Sequence, residues 1–123
     1  MAEHLFCQAF GWRQENNSKA HFDAVAADGG KYQINGRRLT RHNKCRQLGA
    51  IRDLDRNGFG YLAGVLFNED YSVLRAAIIP YVVVKARAKF IAHTNSHKFM
   101  LHEDVWKADG VEDVTEKLRA IHL

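Results

Sequence analysis

The chain is poor in cysteine, with only Cys7 and Cys45 among 123 residues, which excludes a disulfide-dense scaffold and leaves free thiols as the simplest reading. Proline is scarcer still, Pro80 being the only one, and no repeat, low-complexity tract or linker divides the sequence. The longest apolar stretches, such as residues 76–84, are too short to span a bilayer and are interrupted by Pro80. No GxGxxG or GK[ST] pattern occurs, so no phosphate-loop signature is present. His93, His97 and His102 lack an accompanying cysteine pair, so a zinc site is not expected. Residues 1–10 carry Glu3 and His4 and no basic segment before an apolar run, so they do not read as a signal peptide. A cytoplasmic location and no membrane partner are the expectation.

What is present is enough for one core. Hydrophobic residues make up 46% and aromatics 11%, a globular composition, and the length suits one α/β domain over residues 1–123. A net charge of +4 with a pI near 9.2 leans towards polyanionic partners, though only mildly. Leu5, Phe6, Ala9 and Phe10 sit at helical spacing, and Gly11 is placed to end that helix. Residues 13–20 read as a polar loop, residues 21–27 as a strand, and Asp28-Gly29-Gly30 as a tight turn into a second strand over residues 31–35. Residues 48–54 fit either a short helix or an irregular connector. Strands are expected over 59–67 and 71–79, then a helix from Tyr81 to Phe90 opened by Pro80. A short strand over 97–101, a helical turn over 103–107 and a terminal helix starting near Val111 complete the order. A mixed sheet flanked by helices is the natural packing for that order.

The chemistry-bearing segment is FDAVAADGGKYQINGRR, residues 22–38. Residues two apart on a strand share a face. Lys31, Gln33, Asn35 and Arg37 therefore form one polar row, while Tyr32 and Ile34 turn into the core. A hairpin brings Asp23 alongside that row.

These residues resemble the PD-(D/E)xK, or restriction-endonuclease-like, superfamily, and in particular its small members whose second motif strand reads QIKGRR. The likeness continues through RQLGAIRDLD, YLAGVLFNEDYSVLRAAIIP and HTNSHKFMLHEDVW, and so covers nearly the whole chain. It implies a restriction-endonuclease-like mixed β-sheet flanked by helices and hydrolysis of DNA phosphodiesters with Mg²⁺ or Mn²⁺. By the same resemblance Asp23 matches the motif's metal-binding aspartate and Gln33 stands in the place of its second acid. Glu3, on the first helix, matches an acid that completes the metal site. Asn35 stands where the motif has lysine, and that is the departure. A hard divalent cation wants oxygen ligands, which Asp23, Glu3 and the Gln33 carbonyl offer. The lysine orients water or stabilises charge, and its loss costs on the order of a hundredfold in rate. Lys31 lies on the same face about 6 to 7 Å along the strand and is one substitute; Arg37 is another. The alternatives are a site that has lost catalysis and kept nucleic-acid binding, and a protein-interaction module on the same fold with a purely structural polar row.

Each feature has a plainer reading. The plainer reading of Asp23 is an edge-strand polar residue, and Glu3 suits the first turn of any helix through the helix dipole. Arg37, Arg38, Arg41, Lys44 and Arg46 form either a solvated face or a grip on nucleic-acid backbone, DNA first and RNA second. Trp12 and Trp106 read as core or dimer-contact residues, and Cys45 as an ordinary thiol. A homodimer suits cleavage of both strands of a duplex.

Overall fold

The computed structural model describes residues 1–17 and 21–121. Helix α1 (Ala2–Phe10) buries Leu5 and Phe6 and stops at Gly11, whose φ of 70° is the left-handed conformation a side chain disfavours. The chain then forms β1 (Arg13–Gln14), β2 (Ala24–Val25) and β3 (Lys31–Arg38), consecutive antiparallel neighbours. β4 (Gln47–Ile51) leads through a 3-10 turn (Leu54–Arg56) into β5 (Tyr61–Phe67) and β6 (Val73–Pro80). Helix α2 (Tyr81–Arg87) is followed by β7 (Lys89–Ile91), β8 (Ser96–Met100), a 3-10 turn (Glu103–Lys107), β9 (Glu112–Asp113) and helix α3 (Thr115–Arg119).

A six-stranded mixed sheet runs β1-β2-β3-β5-β6-β9, with β3 and β5 parallel, and a three-stranded antiparallel sheet runs β4-β8-β7. Alternation along the central strands feeds two cores. Ala63, Val65, Phe67, Ala76 and Ile78 pack under α1 and α3, with Leu5, Phe6 and Leu118. Leu62, Leu66, Ala77 and Ile79 pack against the small sheet and α2, with Leu48, Phe99 and Val84. Full burial of one such side chain contributes about 1.5–3 kcal/mol, so the molecule is an α/β domain of three layers held by the two faces of one sheet.

Five expectations need correction. The strand expected over residues 21–27 is confined to Ala24–Val25, the only two residues there that pair with β1 and β3. The helix after Pro80 ends at Arg87 rather than Phe90, because Ala88 is extended (φ −70°, ψ 147°) and Phe90 pairs with His97 in the small sheet. The terminal helix begins at Thr115, because Glu112 and Asp113 are drawn out as β9 to pair with Ile78 and Ala77. Residues 47–51 are a strand, irregular only at a register shift between Leu48 and Ala50. Arg13 and Gln14, read as loop, form β1; Ser18, Lys19 and Ala20 of that loop lie outside the described residues.

Candidate active site

β2 pairs with β3 only through Ala24–Tyr32 and Val25–Lys31, so from Ile34 onward the outer edge of β3 carries no strand. Asp23 stands at this fork, one residue before β2 rather than within it. Its backbone N–H donates to the Tyr32 carbonyl at 2.8 Å, and its carboxylate Oδ2 accepts the Ile34 N–H at 2.7 Å. Ile34 lies between Gln33 and Asn35, so the carboxylate sits at their level on the strand's edge. The turn that aims it is Ala26–Gly30, closed by Gly29 N–H to the Ala26 carbonyl and by Gly30 N–H to Asp28 Oδ1, both 2.9 Å. Gly29 takes φ 89° there, the reason a glycine is needed.

Helix α1 crosses the same edge. Gly36 of β3 lacks a Cβ where one would come within 2.9 Å of the Ala2 Cβ, which lets the helix approach. Glu3 projects from its first turn and accepts a hydrogen bond from Gln14 Nε2 at 2.9 Å. Burial pushes the Asp23 carboxyl up; the Ile34 N–H holds it down in part, and the negative charge of Glu3 raises it further. Cys7, one turn along α1 from Glu3, has its thiol raised by burial and then by Glu3 and Asp23. Two carboxylates are thus gathered, and no cationic side chain among the described residues lies within 4.0 Å of either.

The amides leave β3 on its other face. Ile34 joins the core beneath α1, so Gln33, Asn35 and Arg37 turn towards β4. There the Asn35 Oδ1 lies 3.2 Å from the position a Cβ would take on Gly49, and Arg37 Nη1 donates to the Gln47 carbonyl at 3.5 Å. Asn35 Nδ2 is buried with no hydrogen-bond partner among the described residues. An unmet donor of this kind costs about 1–3 kcal/mol. Lys31 is turned onto the Phe22 ring, 5.1 Å from its centroid, and has no ion pair with Asp23. A depression of about 390 Å³ follows the open edge, lined by Glu3, Ile34, Asn35, Gly36, Arg38 and Tyr71 among others.

Glu3 and Asp23 therefore lie near enough for the charge of one to act on the other, while Gln33 and Asn35 leave β3 on the face opposite α1. Among the described residues no three of His, Cys, Asp and Glu gather to hold a metal ion; Gln33 is the neutral oxygen donor next along β3. The donor chemistry, two repelling carboxylates without a counter-charge plus an amide oxygen, fits a hard divalent cation.

The basic stretch divides. Arg46 Nη1 donates to Glu103 Oε2 at 2.7 Å and to the Leu101 carbonyl at 3.3 Å, in a network where Arg75 also meets Glu103 and Asp113. Arg38 stacks on Tyr71, 4.8 Å from the ring centroid, and donates to the Glu69 carbonyl at 3.4 Å. Arg41 and Lys44 remain exposed on the loop after β3 without ion pairs among the described residues. Trp12 is core, stacked on Tyr32 at 3.8 Å, and Trp106 Nε1 donates to the Ala76 carbonyl. Sequence reading missed Gln14, which holds Glu3, and Tyr71. Gln14 carried no signal, whereas an aromatic residue at the end of the Asn-Glu-Asp-Tyr turn was one.

No protein-family model matches the chain, and neither does any curated protein. Among the described residues no helix is long and apolar enough to cross a membrane.

Proposed function

We propose that the chain is a restriction-endonuclease-like domain that acts on DNA phosphodiesters with Mg²⁺ or Mn²⁺, and that Asn35 leaves it slow. The observation that carries this reading is the Asp23 carboxylate at the open edge of β3, held by the Ile34 N–H between Gln33 and Asn35 and within reach of the Glu3 charge. Asp23 is aimed by the Ile34 N–H and Glu3 by Gln14; with the Gln33 carbonyl they are the residues that would hold the cation. Such an ion polarises a phosphoryl oxygen and lowers the pKa of a bound water. Asn35 brings no charge at this position, and its Nδ2 is buried against β4, hence the loss of rate. Arg41 and Lys44 supply sequence-independent phosphate contacts. A homodimer would suit cleavage of both strands, and free thiols suit a cytoplasmic location.

Lys31, held on Phe22, favours a second reading, a nucleic-acid-binding module on the same fold without catalysis. Supercoiled plasmid incubated with the protein and Mg²⁺ or Mn²⁺ separates the two. Slow nicking that disappears in Asp23→Ala supports the nuclease. A salt-sensitive gel shift without nicking supports the binding module, and the absence of both overturns each reading.

A further inference from the structure

The chain builds one hairpin loop twice. In residues 26–30, Ala26 N–H donates to the Gly30 carbonyl and Gly29 N–H to the Ala26 carbonyl. In residues 68–72, Asn68 N–H donates to the Ser72 carbonyl and Tyr71 N–H to the Asn68 carbonyl. This is the three-residue hairpin loop whose last member is left-handed, a place for glycine. The first loop has Gly29 there at φ 89°; the second has Tyr71 at φ 68°. A bulky side chain is a genuine outlier in that conformation. The tyrosine is nevertheless 49% exposed, so burial of its ring does not account for it.

What the ring touches is informative. The Arg38 guanidinium lies over it at 4.8 Å, fixed by its bond to the Glu69 carbonyl, and the Phe67 ring is tilted beside it at 6.1 Å. Tyr71, with Met1 and Phe67, lines two neighbouring depressions. One is that of Glu3 and Asn35. The other, about 480 Å³, is apolar at its base through Leu5, Phe67, Val73 and Leu118. That volume is within the usual range of about 300–1,000 Å³ for small-ligand sites. An exposed aromatic ring stiffened by a guanidinium, beside an apolar recess and next to a phosphate-handling edge, has the chemistry that takes up a nucleobase.

We propose that Tyr71, backed by Arg38, stacks one unpaired base of the bound DNA at the recess beside Glu3. The preferred substrate is then DNA with an unpaired nucleotide next to the contacted phosphate, rather than continuous duplex. The proposal rests on the nuclease-like reading for the position of the phosphate.

The test is fluorescence anisotropy of the full chain, with Ca²⁺ replacing Mg²⁺ to hold off cleavage. The probes are a continuous duplex, the same duplex with one unpaired nucleotide, and a single strand; 2-aminopurine at the unpaired position reports stacking by quenching. Wild type binds the two probes with unpaired bases about tenfold more tightly than the duplex, a typical effect of one stacked base, and quenches 2-aminopurine. Tyr71→Phe keeps both properties. Tyr71→Gly loses both, while its melting temperature holds or rises, because glycine is at home in the left-handed position. Retention of the preference and the quench by Tyr71→Gly overturns the proposal. So does wild-type binding without preference, and that result leaves the nuclease-like reading standing. Failure of wild type to bind any probe overturns both.

Discussion

Gly64 of β5 packs against Leu48 of β4, and Gly64→Ala tests that packing. A Cβ there would lie 2.7 Å from Leu48 Cδ1 and 3.3 Å from Leu101 Cδ2, against an optimal carbon–carbon separation of about 3.5–4.0 Å. Leu48 and Leu101 are both 0% exposed, so neither can swing into solvent to make room. Overpacking of this kind costs about 1–3 kcal/mol. For a chain of this length each kcal/mol lowers Tm by about 4 °C, so the melt should fall by about 4–12 °C. Gly64 is also the cross-strand partner of Asn35, and Leu48 precedes Gly49, against which the Asn35 amide rests. A shift of β4 therefore disturbs the site as well as the core. Gly60→Ala is the control, since its Cβ would meet only the Lys31 carbonyl at 3.8 Å; it should change Tm little. Thermal melts by circular dichroism read both variants, and a Gly64→Ala melt within a degree of wild type would refute this packing.

Three further outcomes follow from the site. Asp23→Asn keeps an acceptor for the Ile34 N–H but removes the partly buried charge facing Glu3, so it should melt above wild type at pH 7 while abolishing nicking. The folded-state pKa of Asp23 is raised, so this group favours the folded state most below its unfolded pKa and less as pH climbs through the folded value. The advantage of Asn over Asp should accordingly shrink as pH falls into the ordinary aspartate range, and an advantage that grows in acid contradicts the assignment. Arg41→Ala with Lys44→Ala should weaken DNA binding on all sequences and reduce the slope of log K against log salt by about 2; an unchanged slope removes both from the interface. Arg46→Ala should act on stability instead, by removing one of the two arginines that meet Glu103 and leaving the Leu101 carbonyl without its donor, with the salt slope unaltered.

Much of the fold was readable from local pattern. Helix α1 announces itself by its apolar spacing and Gly11, the β2–β3 hairpin by Asp28-Gly29-Gly30, and β5 and β6 by their apolar runs. The elements that escaped are those set by distant partners. β9 exists because Ala77 and Ile78 have an unpaired edge, and β7 because β8 offers one. Neither β4, with its register shift, nor two-residue β1 has enough alternation to show a period. At the site, strand period correctly put Gln33 and Asn35 on one face, but it could not say that α1 covers the other. Nor could it show that Arg46 is committed to Glu103, fifty-seven positions away. The cost of Tyr71 was visible only once its φ was known.

On the proposed nuclease-like reading, Asn35 occupies the place of a catalytic lysine beside Asp23 and Glu3. The most direct test of that reading is the Mg²⁺-dependent nicking rate of Asn35→Lys against wild type on supercoiled plasmid, with Asn35→Lys/Asp23→Ala as control. Restoring the charge should raise the rate on the order of a hundredfold, and the double variant should be inactive. A folded Asn35→Lys protein that cuts no faster than wild type, or one that still cuts without Asp23, contradicts it.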